Sequence, residues 1–207
     1  MTDGVRAPAG RQLEKLANSG SRERKPRPQR VDPQNLERWA IRHLDRYGSS
    51  SVNLRWVLIR RVRRIEQAQE VCFPDAPAWI DDTVASLLSR GYLDDRKYAI
   101  SLVERMRARG SSARRIEHGL GAKGIPRPLA QEVIAAAGPG QELLAAVCYA
   151  RRRRLGPFRL DPDVHAERRE RDLAVLGRAG FPYEIARRIV EAEDVASLAS
   201  AATLQHL

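Results

Sequence analysis

The chain has 207 residues, of which 43% are hydrophobic, 30% are charged and 5% are aromatic. No apolar run approaches the roughly 20 residues of a membrane-spanning helix, and the N-terminus lacks a secretory signal, so we expect a soluble cytoplasmic protein with no membrane partner. The two cysteines have no metal or redox spacing, and the formal net charge of +11 favours a polyanionic partner, most commonly nucleic acid.

Residues 1–33 predict a disordered basic tail. They combine Arg, Lys, Pro, Gly and Ser with few large apolar residues. Such a segment cannot bury enough surface to offset the entropy lost on ordering. Asp32 then offers an N-cap and Pro33 a favoured first helical residue, so we expect order to begin there.

Residues 34–92 predict a first unit of three helices. Gly48 and Gly91 are expected to end helices, Ser50 or Ser51 to cap the second, and Asp75 to cap the third. Trp39 and Trp56 lie beside the apolar stripes and are expected in the core. The inward positions at helical spacing are Leu36, Ala40, Leu44 and Tyr47; Leu54, Val57, Leu58, Val62 and Ile65; and Ile80, Val84, Leu87 and Leu88.

Residues 93–138 predict a second three-helix unit. Asp94 is a candidate N-cap, and Leu93 is placed to form a hydrophobic staple with Tyr98. A paired-carboxylate catalytic role for Asp94 and Asp95 is disfavoured, because a helix N-terminus favours their charged form. Gly110-Ser111-Ser112 is expected to end one helix and cap the next, and Gly124-Ile125-Pro126 marks a further boundary.

Residues 139–193 predict a third unit, followed by a C-terminal tail at 194–207. Its helices are expected to begin near Gln141, near Asp163 and after Pro182. Leu120-Gly121-Ala122-Lys123-Gly124-Ile125-Pro126 aligns with Leu176-Gly177-Arg178-Ala179-Gly180-Phe181-Pro182. This internal repeat predicts an all-α, elongated tandem array of three helix-turn-helix-like units, each too small to bury a good core alone.

Two groups of cations are candidate contacts for phosphate or for an acidic protein surface. Like charges one turn apart weaken a helix, so their clustering suggests an external anion. A solvated face or a genome rich in arginine codons would also account for them, and Glu104 and Glu117 could neutralise part of the second group. The candidates are Arg55, Arg60, Arg61, Arg63 and Arg64, and Arg105, Arg107, Arg109, Arg114 and Arg115 with Lys123.

The middle unit resembles the RecX family. The residues that carry the resemblance are Gly91, Tyr92, Leu93, Asp94 and Asp95, followed by Tyr98 and, farther on, by Gly124 and Ile125, in the family's order. The resemblance extends over roughly residues 36 to 193 and is densest in the second unit.

This resemblance implies a regulator of homologous recombination with no catalytic residues, cofactor or metal. We expect the chain to be a monomer. RecX-like proteins bind in the groove of the RecA–DNA filament, contact both the recombinase and DNA, and hinder filament growth, ATP hydrolysis and strand exchange. Single- and double-stranded DNA are therefore expected partners. The alternative is a stand-alone helical DNA-binding protein that places a recognition helix in the major groove, although few Asn, Gln or Ser residues accompany the cations to identify bases.

Overall fold

A computed structural model describes residues 29–138, 140–159, 165–192 and 194–198. Within these ranges all regular structure is helical and no β-strand occurs, which confirms the predicted fold class. A further helical turn lies at 195–198. The elements are α1 (Pro33–Arg46), α2 (Ser51–Gln69), α3 (Ala76–Ser89), α4 (Asp95–Ala108), α5 (Ala113–Gly121), α6 (Arg127–Ala136), α7 (Gln141–Arg153), a 3-10 helix (Gly156–Phe158), α8 (His165–Arg178) and α9 (Tyr183–Val190). The tail at 1–28, the expected helix start at Asp163 and residues 199–207 lie outside the described residues.

Local side-chain chemistry sets the start of four helices. Asp32, Ser50, Asp94 and Ser112 each accept a hydrogen bond from the backbone N–H three residues later, at 2.7–3.3 Å. Each bond satisfies one of the N–H groups that a helix leaves unpaired at its first turn. Asp75 also precedes a helix, but its backbone is helical (φ −84°, ψ −11°) and its side chain makes no capping bond. The expected capping role of Asp75 is therefore wrong.

The buried side chains form three clusters along the chain. Helices α1–α3 enclose the first, α4–α6 the second, and α7–α9 with the 3-10 helix the third. Leu93, assigned from the sequence to the second unit, packs in the first cluster at 4% exposure. Leu198, assigned to the C-terminal tail, is buried in the third cluster at 2% exposure. The first and third clusters therefore extend slightly beyond the boundaries expected from the sequence.

Three residues expected in the first core are exposed instead. Tyr47 is 62% exposed, because it caps α1 in an extended conformation (φ −139°, ψ 121°) and no longer follows the helical spacing. Trp56 and Leu88 lie at the edges of their apolar stripes and are 42% and 41% exposed. Helical periodicity identified the centre of each buried face correctly but not its margins.

The same contact joins consecutive units. The hydroxyl of Ser50 donates a hydrogen bond to the carbonyl of Lys123, and the hydroxyl of Ser112 donates to the carbonyl of Ala179 at 2.7 Å. Lys123 and Ala179 occupy equivalent positions in the internal repeat. Each serine thus caps its own helix and holds the neighbouring unit.

A carboxylate at the start of a neighbouring helix completes each junction. Asp95 accepts hydrogen bonds from the Ser51 N–H and hydroxyl, both at 2.7 Å. Glu142 accepts from the Ala113 N–H at 2.9 and 3.1 Å. Because one junction geometry relates the first unit to the second and the second to the third, the units form a tandem array with a repeated step.

Candidate nucleic-acid interface

Two of the predicted contact arginines are already paired with carboxylates. Arg55 on α2 makes a two-pronged ion pair with Asp81 on α3, and its hydrogen bond lowers the pKa of the Asp81 carboxyl. Arg107 pairs with Glu142 across the junction between the second and third units, where the two side chains are only 9% and 16% exposed. The structure thus places Arg107 at the junction between the units, where it is largely shielded from solvent.

The carboxylates that neutralise the second group also differ from the expectation. Glu117 pairs with Arg127, at the start of α6, rather than with the clustered arginines. Glu142, from the third unit, is the residue that neutralises Arg107. This partner lies 35 positions away in sequence, so helical spacing could not identify it.

The remaining arginines of α2 leave a strongly basic surface. Arg60, Arg63 and Arg64 are exposed, and within the described residues no carboxylate pairs with them. Arg61 is half-buried, with its guanidinium carbon 4.2 Å from the centre of the Trp39 ring. Burial lowers the pKa of Arg61, and the charges of Arg42 and Arg64 lower it further.

Helix α1 extends this basic surface with residues that the sequence reasoning missed. Arg42 and Arg46 line a pocket together with Trp39 and Arg61. The signal was present, since Arg38, Arg42 and Arg46 follow one another at the four-residue spacing that places side chains on one helical face. Only the packing of α1 against α2, however, brings Arg42 and Arg46 beside Arg61.

The second group lies around the start of α5 and the end of α4. Arg105 donates a hydrogen bond to the Ser101 hydroxyl at 2.6 Å, and Arg152 of the third unit donates to the carbonyl of Arg109 at 2.6 Å. A cavity of about 590 Å³ opens between the second and third units, and Arg114 lines it. Arg115 and Lys123 are exposed, and neither forms an ion pair within the described part of the chain.

The residues that carry the resemblance to the RecX family make contacts within the fold. Gly91 has a positive φ of 75°, which ends α3, and the guanidinium carbon of Arg90 lies 4.9 Å from the centre of the exposed Tyr92 ring. The hydrogen bond from the Lys97 N–H lowers the pKa of the Asp94 carboxyl. Tyr98 packs on the second core, where Ile125 is 3% exposed.

Comparisons with known proteins agree with this architecture. Residues 94–134, spanning α4–α6, match the family described as RecX, second three-helix domain. The regulatory protein RecX of Myxococcus xanthus is 40% identical over 166 residues, which cover 80% of this chain and 89% of the relative. The chain belongs to the RecX family.

Two further RecX proteins show the same relationship. The regulatory protein RecX of a Thermus thermophilus strain is 32% identical over 72% of this chain and 84% of its own length. The regulatory protein RecX of Agrobacterium fabrum is 35% identical over 51% of this chain and 58% of its own length. No solved structure matches the chain. The family predicted from the middle-unit signature is thus confirmed.

The RecX domain match includes the second basic group but not the first. Its range of 94–134 contains the junction residues Asp95 and Ser112, whereas the arginines of α1 and α2 precede it.

Among the described residues, no group of three or more His, Cys, Asp or Glu side chains could hold a metal ion. No single helix there could span a membrane; the pair Arg127–Ala136 and Gln141–Phe158 meets the length and hydropathy requirement only jointly, across an 86° bend.

Proposed function

We propose that this RecX-family chain is a non-enzymatic regulator that binds the RecA–DNA filament and restrains the recombinase. The observation that carries the proposal is the repeated junction, which relates successive units by the same contact. More than one of these units has exposed arginines that no described carboxylate pairs with. A filament offers regularly repeated phosphate and protein surfaces. An array with a repeated step is suited to contact several of them at once.

Electrostatics supports a polyanionic target. A net charge of +11 steers the chain towards a nucleoprotein filament, and the release of counterions from DNA phosphates favours binding. In this proposal Arg60, Arg63 and Arg64 contact DNA or acidic recombinase surface, together with exposed cations of the second unit. Binding across neighbouring recombinase subunits would hinder filament growth, ATP hydrolysis and strand exchange.

The test measures ATP turnover by RecA on single-stranded DNA as the purified chain is added. Inhibition is expected at chain concentrations below that of RecA, because one array would affect several subunits. A variant carrying Arg60→Glu and Arg64→Glu is expected to inhibit much more weakly. Its matched control carries Asp82→Lys and Glu70→Lys, which change two exposed first-unit charges in the opposite direction and should not weaken inhibition.

Two outcomes count against the proposal. If ATP turnover is unchanged when the chain and RecA are equimolar, the chain does not restrain the recombinase. If the chain binds duplex DNA tightly and with sequence preference but leaves RecA unaffected, the stand-alone DNA-binding alternative replaces it.

A further inference from the structure

The first unit contains a small pocket lined by cations and aromatic rings. It lies between α1 and α2 and has a volume of about 170 Å³. Pockets for whole small molecules or cofactors are larger, roughly 300–1,000 Å³. This pocket therefore fits one group of a longer ligand. The lining residues that matter are Trp39, Arg42, His43, Arg46, Tyr47 and Arg61.

The charges in this pocket favour an anion. None of its lining residues is acidic, and within the described ranges no carboxylate pairs with Arg42, Arg46 or Arg61. Arg42 and Arg64 lie close enough to Arg61 to disfavour its charged form. Arg55, on the same α2 helix, has a carboxylate partner in Asp81. The first unit thus pairs Arg55 with Asp81 and Arg90 with Glu37 but leaves the pocket positive.

Two buried nitrogens in the pocket have no hydrogen-bond partner. They are Nε of Arg61 and Nε2 of His43. An unpaired buried N–H is unfavourable, and an anionic oxygen bound in the pocket would accept the hydrogen bond that Arg61 Nε can donate. A phosphate supplies several acceptor oxygens and one negative charge in a group that fits this volume, and arginines bind it with several hydrogen bonds.

The aromatic rings indicate which phosphate-bearing molecule fits the pocket. Tyr47 is 62% exposed at the rim, and its ring centre lies 5.5 Å from that of His43. The other ring, Trp39, is covered by the Arg61 guanidinium. An exposed ring beside a phosphate site can stack on an unpaired base, which a single strand offers and an intact duplex does not.

We propose that this pocket binds a phosphodiester of single-stranded nucleic acid, with Arg42, Arg46 and Arg61 around the phosphate and Tyr47 stacked on an adjacent base. The proposal deepens the proposed function, on which it rests for the presence of DNA in the complex. It adds a strand-specific contact on the first unit, outside the matched RecX domain. A single strand held there would anchor one end of the array.

The experiment measures anisotropy of a labelled oligothymidine on titration with the full chain, without RecA. Arg42→Glu is expected to weaken binding about tenfold or more, which corresponds to about 1.4 kcal/mol. Arg38→Glu is the matched control, because it makes the same charge change on the same helix at an exposed residue outside the pocket. It should weaken binding much less. Equal losses would overturn the proposal by showing that only total charge matters.

A second pair of variants tests stacking. Tyr47→Ala is expected to weaken oligothymidine binding about fivefold or more, since base stacking on an aromatic side chain contributes to the binding of single strands. Tyr47→Phe should retain most of the affinity. Duplex DNA of the same length should bind more weakly and should not respond to Tyr47→Ala. An equal loss of duplex affinity in Tyr47→Ala would overturn the assignment to a single strand. The assignment would also be overturned if a glutamate-rich peptide displaced the labelled strand at a lower concentration than unlabelled oligothymidine does.

The two proposals fail differently. If Arg42→Glu and Tyr47→Ala weaken oligothymidine binding while the wild-type chain leaves RecA turnover unchanged, the pocket is supported and the regulatory function is wrong. If the wild-type chain inhibits RecA but neither variant changes strand binding, the regulatory function stands and the pocket assignment is wrong. Circular dichroism melting of each variant verifies that the fold is retained.

Discussion

The first-unit pocket and the junction between the second and third units use arginine in opposite ways. At the junction Arg107 is nearly buried and paired with Glu142, whose carboxylate also accepts the Ala113 N–H. In the pocket Arg61 is half-buried beside other cations and has no carboxylate partner among the described residues. An arginine that is paired with a carboxylate stabilises the fold, whereas an arginine without such a partner is available to bind a ligand. The position of an arginine in a basic cluster does not distinguish these two roles.

The strongest test of this comparison makes the same substitution in both places. Arg107→Met should lower the free energy of unfolding by about 3 kcal/mol, because it leaves a buried carboxylate uncompensated. Arg61→Met should change it by less than about 1 kcal/mol, because it removes a cation–π contact but also removes repulsion and orphans no charge. Urea denaturation of both variants measures the difference. Similar values would remove the distinction between the two regions.

The second test changes the geometry of a junction without changing its charge. Gly124 has φ +76°, and a Cβ there would lie 2.4 Å from the Val52 side chain. Gly124→Ala should therefore lower the free energy of unfolding by about 2–3 kcal/mol.

Gly121 is the matched control for this substitution. It is the last residue of α5, and a Cβ there would meet nothing within 4 Å. Gly121→Ala should leave stability unchanged or raise it by up to about 1 kcal/mol, as alanine favours a helix. Thermal unfolding by circular dichroism compares the two. Equal melting temperatures would show that the first and second units do not need this close contact.

The smallest expected effect concerns Arg55, the arginine of α2 that is paired with a carboxylate. Arg55 and Asp81 have side chains 40% and 53% exposed, so solvent screens their interaction. Arg55→Ala should lower the free energy of unfolding by less than about 1 kcal/mol. It should also weaken oligothymidine binding less than Arg42→Ala does, because Asp81 already neutralises Arg55. A larger binding loss for Arg55→Ala would place the strand on the other side of α2.

Helix caps and buried helix faces were predictable from the sequence where they depend on residues only a few positions apart. The caps at Asp32, Ser50, Asp94 and Ser112 depend on bonds that reach only three residues, and the structure confirms all four. The buried faces follow from helical spacing. Asp75 fails as a cap because its backbone conformation depends on the preceding turn, which residue type alone does not specify.

The candidate site was predictable only in part. Arg60, Arg61, Arg63 and Arg64 were recognised because they are neighbours in sequence. Arg42 and Arg46 were missed because they reach Arg61 from another helix. The role of Asp95 in joining two units was missed for the same reason, as its partner Ser51 lies 44 positions away.

By itself the sequence determined the helices, most of their caps, the internal repeat and the RecX family, because each depends on residues a few positions apart or on a repeated pattern. Only the tertiary structure decided which cations are neutralised, how consecutive units join, and where unpaired arginines meet an exposed ring. Those properties depend on distances between residues far apart in the chain, and packing alone sets such distances.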